Sequence, residues 1–268
     1  MTIIDTHAHI YPDAIASKAV HTVLDYYHVD TEHLDGTVGS LLKMGDATGI
    51  SRFLVHSVAT TPHQVASINR FIAENVNAHP DKFIGFATLH PESETVEADV
   101  EHAIELGLHG IKLHPDFQKF SLDSKQADRI FSAIEGRLPV LIHVGDNRTQ
   151  YSEPKKLLHA LRHHPKLTVI GAHFGGWSVW DDGVKYLADT DIFVDTCSTQ
   201  PFIQPEKVRQ LIDAFGVDRI FFGSDYPMWN AATEINMLNK IVTDEEEREK
   251  IYHLNFERFF DKYCTKSK

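Results

Sequence analysis

Residues 3–9 read Ile-Ile-Asp-Thr-His-Ala-His, a short β-type run that ends in two histidines separated by a single residue. Side chains two positions apart on a strand point to the same face, so His7 and His9 can meet one ligand together. Seven further β-type runs follow along the chain, at residues 51–58, 83–90, 110–114, 140–144, 167–172, 192–196 and 219–223.

Longer amphipathic stretches separate these runs and predict helices near residues 63–79, 94–107, 124–136, 153–164, 177–189 and 205–216. The less regular stretch 13–48 predicts the first helix together with a lid, and further helices are expected near 230–241 and 244–262. Strands that alternate with helices pair in parallel through right-handed crossovers. Eight such units favour an α/β fold, a closed (β/α)₈ TIM barrel in one domain over residues 1–268. The alternative is an open sheet, which is weakened because no GxGxxG follows the first strand.

The composition narrows the class of partner. The chain carries 26 Lys and Arg against 38 Asp and Glu, a formal net charge of -12, which argues against nucleic acid and anionic membranes. The N-terminus has no signal-type pattern, and the two cysteines form no CxxC pair, so we expect a cytoplasmic protein that acts on a small molecule. The 18 histidines are unusually many, and histidine is the commonest metal ligand among side chains.

Metal-capable side chains gather where predicted strands end, which in a barrel is the face that carries the active site. Three neutral imidazoles and one carboxylate suit zinc, with manganese, iron and nickel as alternatives, and leave a position for a water molecule. The predicted ligands of this single divalent metal are His7, His9, His143 and Asp225.

Each of these residues alone also has a simpler interpretation. An isolated HxH pair occurs by chance, and a histidine at a strand end is often a hydrogen-bonded structural residue. Asp225 could cap a helix. The metal interpretation is favoured because all four groups belong to the same end of one barrel.

Four segments together resemble the amidohydrolase superfamily, and most closely its amidohydrolase-related subgroup, which includes aminocarboxymuconate-semialdehyde decarboxylase. The segments are Asp5-Thr6-His7-Ala8-His9, Leu141-Ile142-His143, Gly171-Ala172-His173-Phe174-Gly175-Gly176 and Phe222-Gly223-Ser224-Asp225-Tyr226-Pro227. The resemblance extends to the tail at residues 254–260. It implies a distorted barrel of the metallo-dependent hydrolase type, commonly with one zinc bound by the four ligands named above. It also suggests a homodimer.

The resemblance further implies a catalytic acid or base at His173, which would activate water or move a proton to the substrate. A fifth metal ligand or a structural histidine is the alternative. Asp225 is expected to accept protons as a second catalytic group. Lys112 could be the carboxylated lysine that bridges two metals in binuclear amidohydrolases. We instead expect a mononuclear site in which Lys112 is structural and pairs with a carboxylate such as Asp5 or Asp195.

The expected substrate-binding residues follow strands four, five, six and eight: His114, Arg148, Trp177 and Tyr226. Arg148 could clamp a carboxylate through two hydrogen bonds, or it could be a solvated loop residue. Cys197 is expected to be a small buried residue and not a nucleophile, because no activating base is evident.

Two reactions fit this set of residues. The first is metal-assisted hydrolysis of an ester, lactone or amide, and the second is non-oxidative decarboxylation of an aromatic or enoic acid. The compact chain, with Arg148 as a weak carboxylate clamp, favours hydrolysis. A barrel that binds metal without turnover is a third interpretation, which the acid or base beside the ligands disfavours.

Overall fold

The computed structural model describes residues 1–29 and 35–265. Its strands lie where the sequence predicts them: β1 (Ile4–His9), β2 (Arg52–His56), β3 (Phe83–Gly85), β4 (Ala87–Thr88), β5 (Ile111–Leu113), β6 (Val140–Ile142), β7 (Val169–Gly171), β8 (Phe193–Asp195) and β9 (Ile220–Phe221). The described α-helices are α1 (Asp13–Tyr27), α2 (Val38–Thr48), α3 (Val65–Ala78), α4 (Val96–Glu105), α5 (Pro115–Gln118), α6 (Lys125–Ile134), α7 (Pro154–His163), α8 (Ala172–Gly175), α9 (Trp180–Leu187), α10 (Pro205–Phe215), α11 (Ala231–Ile241), α12 (Glu245–Glu249) and α13 (Asn255–Phe259).

The strands form a barrel in which every ladder is parallel. β1 to β3 pair in order, and β4 to β9 pair in order. β3 and β4 together make the third predicted strand, and Phe86 between them donates its N–H to Val55 O while Ala87 bonds to Gly110 O. At the other side, Thr6 N donates to Phe222 O and connects β1 to the end of β9. The predicted distorted (β/α)₈ barrel is therefore confirmed, and the open-sheet alternative is wrong.

A bulge in β1 positions the histidines. The pairing of β1 with β2 shifts by one residue between Asp5 and Ala8. Ile4 packs in one hydrophobic cluster with residues of β6 and α13, whereas Ala8 packs in the other cluster. Because an extra residue reverses the alternation of the strand, Ile4 and His7 can face the barrel interior together.

The closing helix fills the amino end of the barrel. Phe256 and Phe259 of α13 pack with Ile4, Leu141 and Phe221 in one buried cluster. The polar side chains are left at the opposite, carboxyl end. The tail to which the resemblance extends thus lies at the amino end of the barrel.

Local signals in the sequence explain where helices begin and end. The Ser124 hydroxyl accepts a hydrogen bond from Ala127 N at the start of α6. Gly49 ends α2 with a φ of 75°, a conformation that glycine adopts without strain. The predicted helical stretch 13–48 becomes α1 and α2, and its residues 30–34 lie outside the described residues. Within the described part of the chain, no helix is long and apolar enough to cross a membrane.

Candidate metal centre

Three predicted ligands meet at the carboxyl end of the barrel. His7 Nε2 lies 3.4 Å from Asp225 Oδ1, and His9 Nε2 lies 3.5 Å from the same oxygen. Asp225 adopts a left-handed backbone with a φ of 59°, and its other oxygen accepts a hydrogen bond from the Ser198 hydroxyl. These contacts hold one carboxylate between two imidazoles, which is a suitable donor set for a divalent cation.

A buried carboxylate orients His7. His7 Nδ1 lies 2.8 Å from Asp195 Oδ2, so the ring donates its proton there and keeps its lone pair on Nε2. The other oxygen of Asp195 accepts a hydrogen bond from the backbone N–H of His173 at 2.8 Å. Burial holds the pKa of His7 well below its ordinary value and lowers that of His9 to about 3. Both rings are therefore neutral, as metal ligation requires.

His143 and His173 face one another across the centre. His143 Nδ1 lies 3.0 Å from His173 Nε2. The opposite nitrogens lie against carbonyl oxygens, His143 Nε2 at 2.9 Å from Gly145 O and His173 Nδ1 at 3.1 Å from Cys197 O. A carbonyl only accepts, so each ring donates to its carbonyl and keeps its lone pair on the inner nitrogen. Two facing lone pairs at this distance require either a shared proton or a cation that both nitrogens bind from one side.

The four predicted ligands do not all share one point. Within the described residues, the sets of ligand atoms that lie inside 4.8 Å of one another are His7–His9–His56, His7–Asp195–Cys197 and His173–Cys197–Asp225. His143 belongs to none of them and reaches the centre through His173, whose ring centroid is 5.3 Å from that of His7. Metal ligation by His143 stays a prediction, and His173 is the nearer of the two rings.

Lys112 differs from the sequence expectation. Its Nζ lies 3.0 Å from His7 Nε2, and burial lowers its pKa. The carboxylates proposed as its partners bond elsewhere, since Asp5 accepts from the N–H and the hydroxyl of Ser224 and Asp195 binds His7. The Lys112 ammonium group therefore lies at the metal centre, beside His7.

Two residues of the centre were missed in the sequence. His56 is the last residue of β2 and pairs with His9 in the ladder. The centroids of the two rings are 4.4 Å apart. Its place at a strand end was the available signal. The Tyr27 hydroxyl, at the end of α1, lies 2.9 Å from His114 Nε2 and 3.4 Å from His143 Nε2. No pattern in residues 13–48 pointed to that contact.

Cys197 is buried beside these rings. Its sulfur lies 3.0 Å from Asp195 Oδ1 and 3.1 Å from His7 Nδ1. Burial, with Asp195 next in importance, holds the pKa of the thiol well above its ordinary value. The thiol is therefore protonated, which fits the expected role of a small packed residue.

A cavity of about 600 Å³ opens onto the centre. One end is bounded by metal-capable side chains: His9, His114, His143, His173 and Asp225. The walls are mostly apolar, and the described lining includes seven aromatic rings: Tyr11, Tyr27, Phe71, Phe117, Trp177, Phe202 and Trp229. His114 and Trp177 thus stand where substrate-binding residues were expected.

The other two expected substrate contacts, Arg148 and Tyr226, bond to neighbours within the protein. The Arg148 guanidinium donates to both oxygens of Asp146, at 2.9 and 2.6 Å, and to the carbonyl of Tyr26. Tyr226 is fully buried, and its hydroxyl donates to Thr37 O at 2.8 Å. Neither residue is among the described residues that line the cavity. Substrate binding by Arg148 and Tyr226 stays a prediction, and both side chains are held by neighbours within the protein.

The comparisons with known proteins cover nearly the whole chain. The family model described as amidohydrolase matches residues 4–262. No curated protein matches the chain. An uncharacterized TIM-barrel protein, Bb4693 from Bordetella bronchiseptica, is similar in structure with a TM-score of 0.78 and 18% identity, over 98% of this chain and 99% of that one.

Two similar solved structures are decarboxylases. 5-Carboxyvanillate decarboxylase LigW from Sphingomonas paucimobilis has a TM-score of 0.73 and 14% identity, over 97% of this chain and 99% of that one. Dihydroxybenzoic acid decarboxylase from Polaromonas sp. JS666, with bound manganese and the inhibitor 2-nitroresorcinol, has a TM-score of 0.72 and 16% identity, over 99% of this chain and 98% of that one. At these identities the likeness establishes the fold alone.

Proposed function

We propose that this chain, which belongs to the amidohydrolase family, is a metal-dependent enzyme that removes carbon dioxide from a small aromatic acid. The observation that carries the proposal is the aromatic-walled cavity that ends at the histidine and aspartate centre. Flat apolar walls suit a planar ring, and the polar end suits the oxygen groups of an acid. The decarboxylases among the similar structures support the same choice.

The donor groups fit a divalent metal. His7, His9 and Asp225 would hold it, with His143 as the predicted fourth ligand. The bond between His7 and Asp195 is the carboxylate–histidine arrangement that accompanies metal-binding histidines. When bound, the metal supplies positive charge that orients the oxygen groups of the substrate. The nitrogen-rich set suits zinc, whereas the Polaromonas enzyme contains manganese, so both metals require testing.

Decarboxylation requires the protein to deliver one proton to the substrate. The ring carbon that bears the carboxylate gains a proton, the bond to the carboxylate breaks, and its electron pair stays with the ring as carbon dioxide leaves. His173 lines the cavity and is the acid that we assign to this step. Asp225 stands beside it as the alternative proton carrier.

The test is product analysis with defined metal content. Protein depleted of metal and reloaded with zinc or manganese is incubated with hydroxybenzoates in deuterated water. We expect release of carbon dioxide and a product with deuterium at the carbon that lost the carboxylate. No release from any aromatic acid by metal-loaded protein would contradict the proposal.

Hydrolysis of a small ester, lactone or amide is the second candidate. One observation favours it: Arg148 is held by Asp146, and the only lysine or arginine among the described residues that line the cavity is the exposed Lys18. The same preparations are therefore assayed for acid release from an ester and lactone panel. Hydrolysis without carbon dioxide release would establish this candidate instead.

A further inference from the structure

We propose that His56 is an additional ligand of the metal, so that the adjoining ends of β1 and β2 present His7, His9 and His56 together. This inference rests on the metal centre of the proposed function and is independent of the reaction. Sequence motifs did not indicate it, because His56 lies outside the segments that resemble the superfamily.

The first observation is an unmet hydrogen-bonding requirement. His56 is fully buried, and neither Nδ1 nor Nε2 has a hydrogen-bond partner among the described residues. A neutral imidazole always carries one N–H and one lone pair, and leaving both unpaired in the interior is unfavourable. His9 Nδ1 beside it is also buried, and no described residue offers it a hydrogen bond. A cation bound by His56 would satisfy the lone pair of its ring.

The second observation is convergence. The ring centroid of His56 lies 4.4 Å from that of His9 and 4.9 Å from that of His7. The rings of His56 and His9 are almost perpendicular, with an angle of 88° between their planes. One nitrogen from each of the three rings lies within 4.8 Å of the other two. Nitrogens bound to one zinc ion at about 2.1 Å can be at most about 4.2 Å apart. Small side-chain rotations are therefore enough to bring all three onto one ion.

The backbone supports the same arrangement. His9 and His56 are direct partners in the parallel ladder of β1 and β2. Both side chains leave rigid strands and not loops, so the backbone fixes their separation. A third imidazole also makes the donor set softer, which favours zinc or cobalt over manganese.

The experiment measures metal binding directly. Metal-free wild type and the His56→Gln variant are titrated with zinc in competition with a chromophoric chelator, and cobalt spectra are recorded. We expect His56→Gln to weaken zinc binding at least tenfold, to shift the cobalt bands and to lose part of the preference for zinc over manganese. Folded His56→Gln with unchanged affinity and cobalt spectrum would overturn the proposal.

His90→Gln is the matched control. His90 is also a buried histidine that follows a strand, but it belongs to none of the metal sets found among the described residues. We expect its zinc affinity and cobalt spectrum to equal those of wild type. A tenfold loss in His90→Gln as well would attribute the effect of His56→Gln to a general loss of structure and overturn the assignment.

A measurement on wild type covers the case in which His56→Gln does not fold. Anomalous scattering from zinc-loaded crystals should place a His56 nitrogen within about 2.3 Å of the ion, and a nitrogen beyond bonding distance would refute the proposal. The two proposals fail separately. Zinc bound without His56, together with carbon dioxide release, removes only this inference, whereas zinc bound by His56 without carbon dioxide release removes only the reaction.

Discussion

Replacing Asp195 by asparagine is expected to weaken zinc binding by about 10- to 100-fold. Asp195 is fully buried and does not itself need to touch the metal. Its effect passes through His7, whose Nδ1 lies 2.8 Å from Oδ2 and whose Nε2 faces Asp225. The substitution therefore tests whether the orientation and tautomer of His7 control the site.

The magnitude follows from the donors around this carboxylate. Oδ1 accepts from His173 N at 2.8 Å and from the Cys197 thiol at 3.0 Å, so an asparagine oxygen is best placed there. The asparagine NH₂ group then faces His7 Nδ1, and His7 must accept at Nδ1 and carry its proton on Nε2. A hydrogen bond to a charged group contributes roughly 1.5–3 kcal/mol, which corresponds to roughly 10- to 150-fold in an equilibrium constant.

The assay combines a chelator competition titration with long-range proton–nitrogen NMR of the His7 ring. We expect the proton on Nδ1 in wild type and on Nε2 in Asp195→Asn. Asp146→Asn is the matched control, because Asp146 is also a buried carboxylate but bonds to Arg148. Unchanged zinc affinity and an unchanged tautomer in Asp195→Asn would refute the reasoning.

Three further predictions concern residues outside the ligand set. Burial raises the pKa of Glu234 to about 8 from an ordinary value of 4.5. Between these pH values the folded state keeps a proton on Glu234 that the unfolded state has lost. The free energy of unfolding therefore falls as the pH rises, by at most about 1.4 kcal/mol per pH unit. Urea titrations should show a weaker dependence of this free energy on pH for Glu234→Gln. Tyr27→Phe removes the hydroxyl beside His114 and should lower carbon dioxide release about tenfold, since one hydrogen bond is lost, with zinc affinity by chelator competition unchanged. Gly145 has a φ of 90°, and a Cβ there would lie 2.6 Å from the backbone of Gly176; Gly145→Ala should destabilise the fold by about 2 kcal/mol in urea unfolding.

The barrel could be predicted from the sequence because the patterns that indicate its strands and helices are local and recur along the chain. Each strand run is bounded by turn residues and followed by an amphipathic helix, and all eight predicted strand positions contain strand in the structure. The bulge between Asp5 and Ala8 was not predictable, because it depends on pairing with β2. The interruption between β3 and β4 at Phe86 was not predictable either, because it depends on pairing with β2 on one side and with β5 on the other.

The metal centre was predicted in part, for a related reason. Position along the chain identifies the strand ends, so His7, His9 and Asp225 were found together. Side-chain direction in the loops depends on neighbours that the pattern does not reveal. Arg148 forms an ion pair with Asp146, only two residues away, and is not among the described residues that line the cavity.

The choice between the two reactions depends on the cavity walls more than on the ligands. Hydrolysis of an ester or lactone creates a carboxylate from a neutral group, whereas decarboxylation consumes a carboxylate and releases a neutral gas. Among the described residues that line the cavity, the only lysine or arginine is the exposed Lys18. The aromatic walls therefore disfavour a carboxylate that has no positively charged partner. In such an environment the bound metal would have to pair with the carboxylate, whether it belongs to the product of hydrolysis or to the substrate of decarboxylation. The lack of a buried lysine or arginine in the described lining therefore favours hydrolysis, whereas the flat aromatic walls favour decarboxylation of a planar acid.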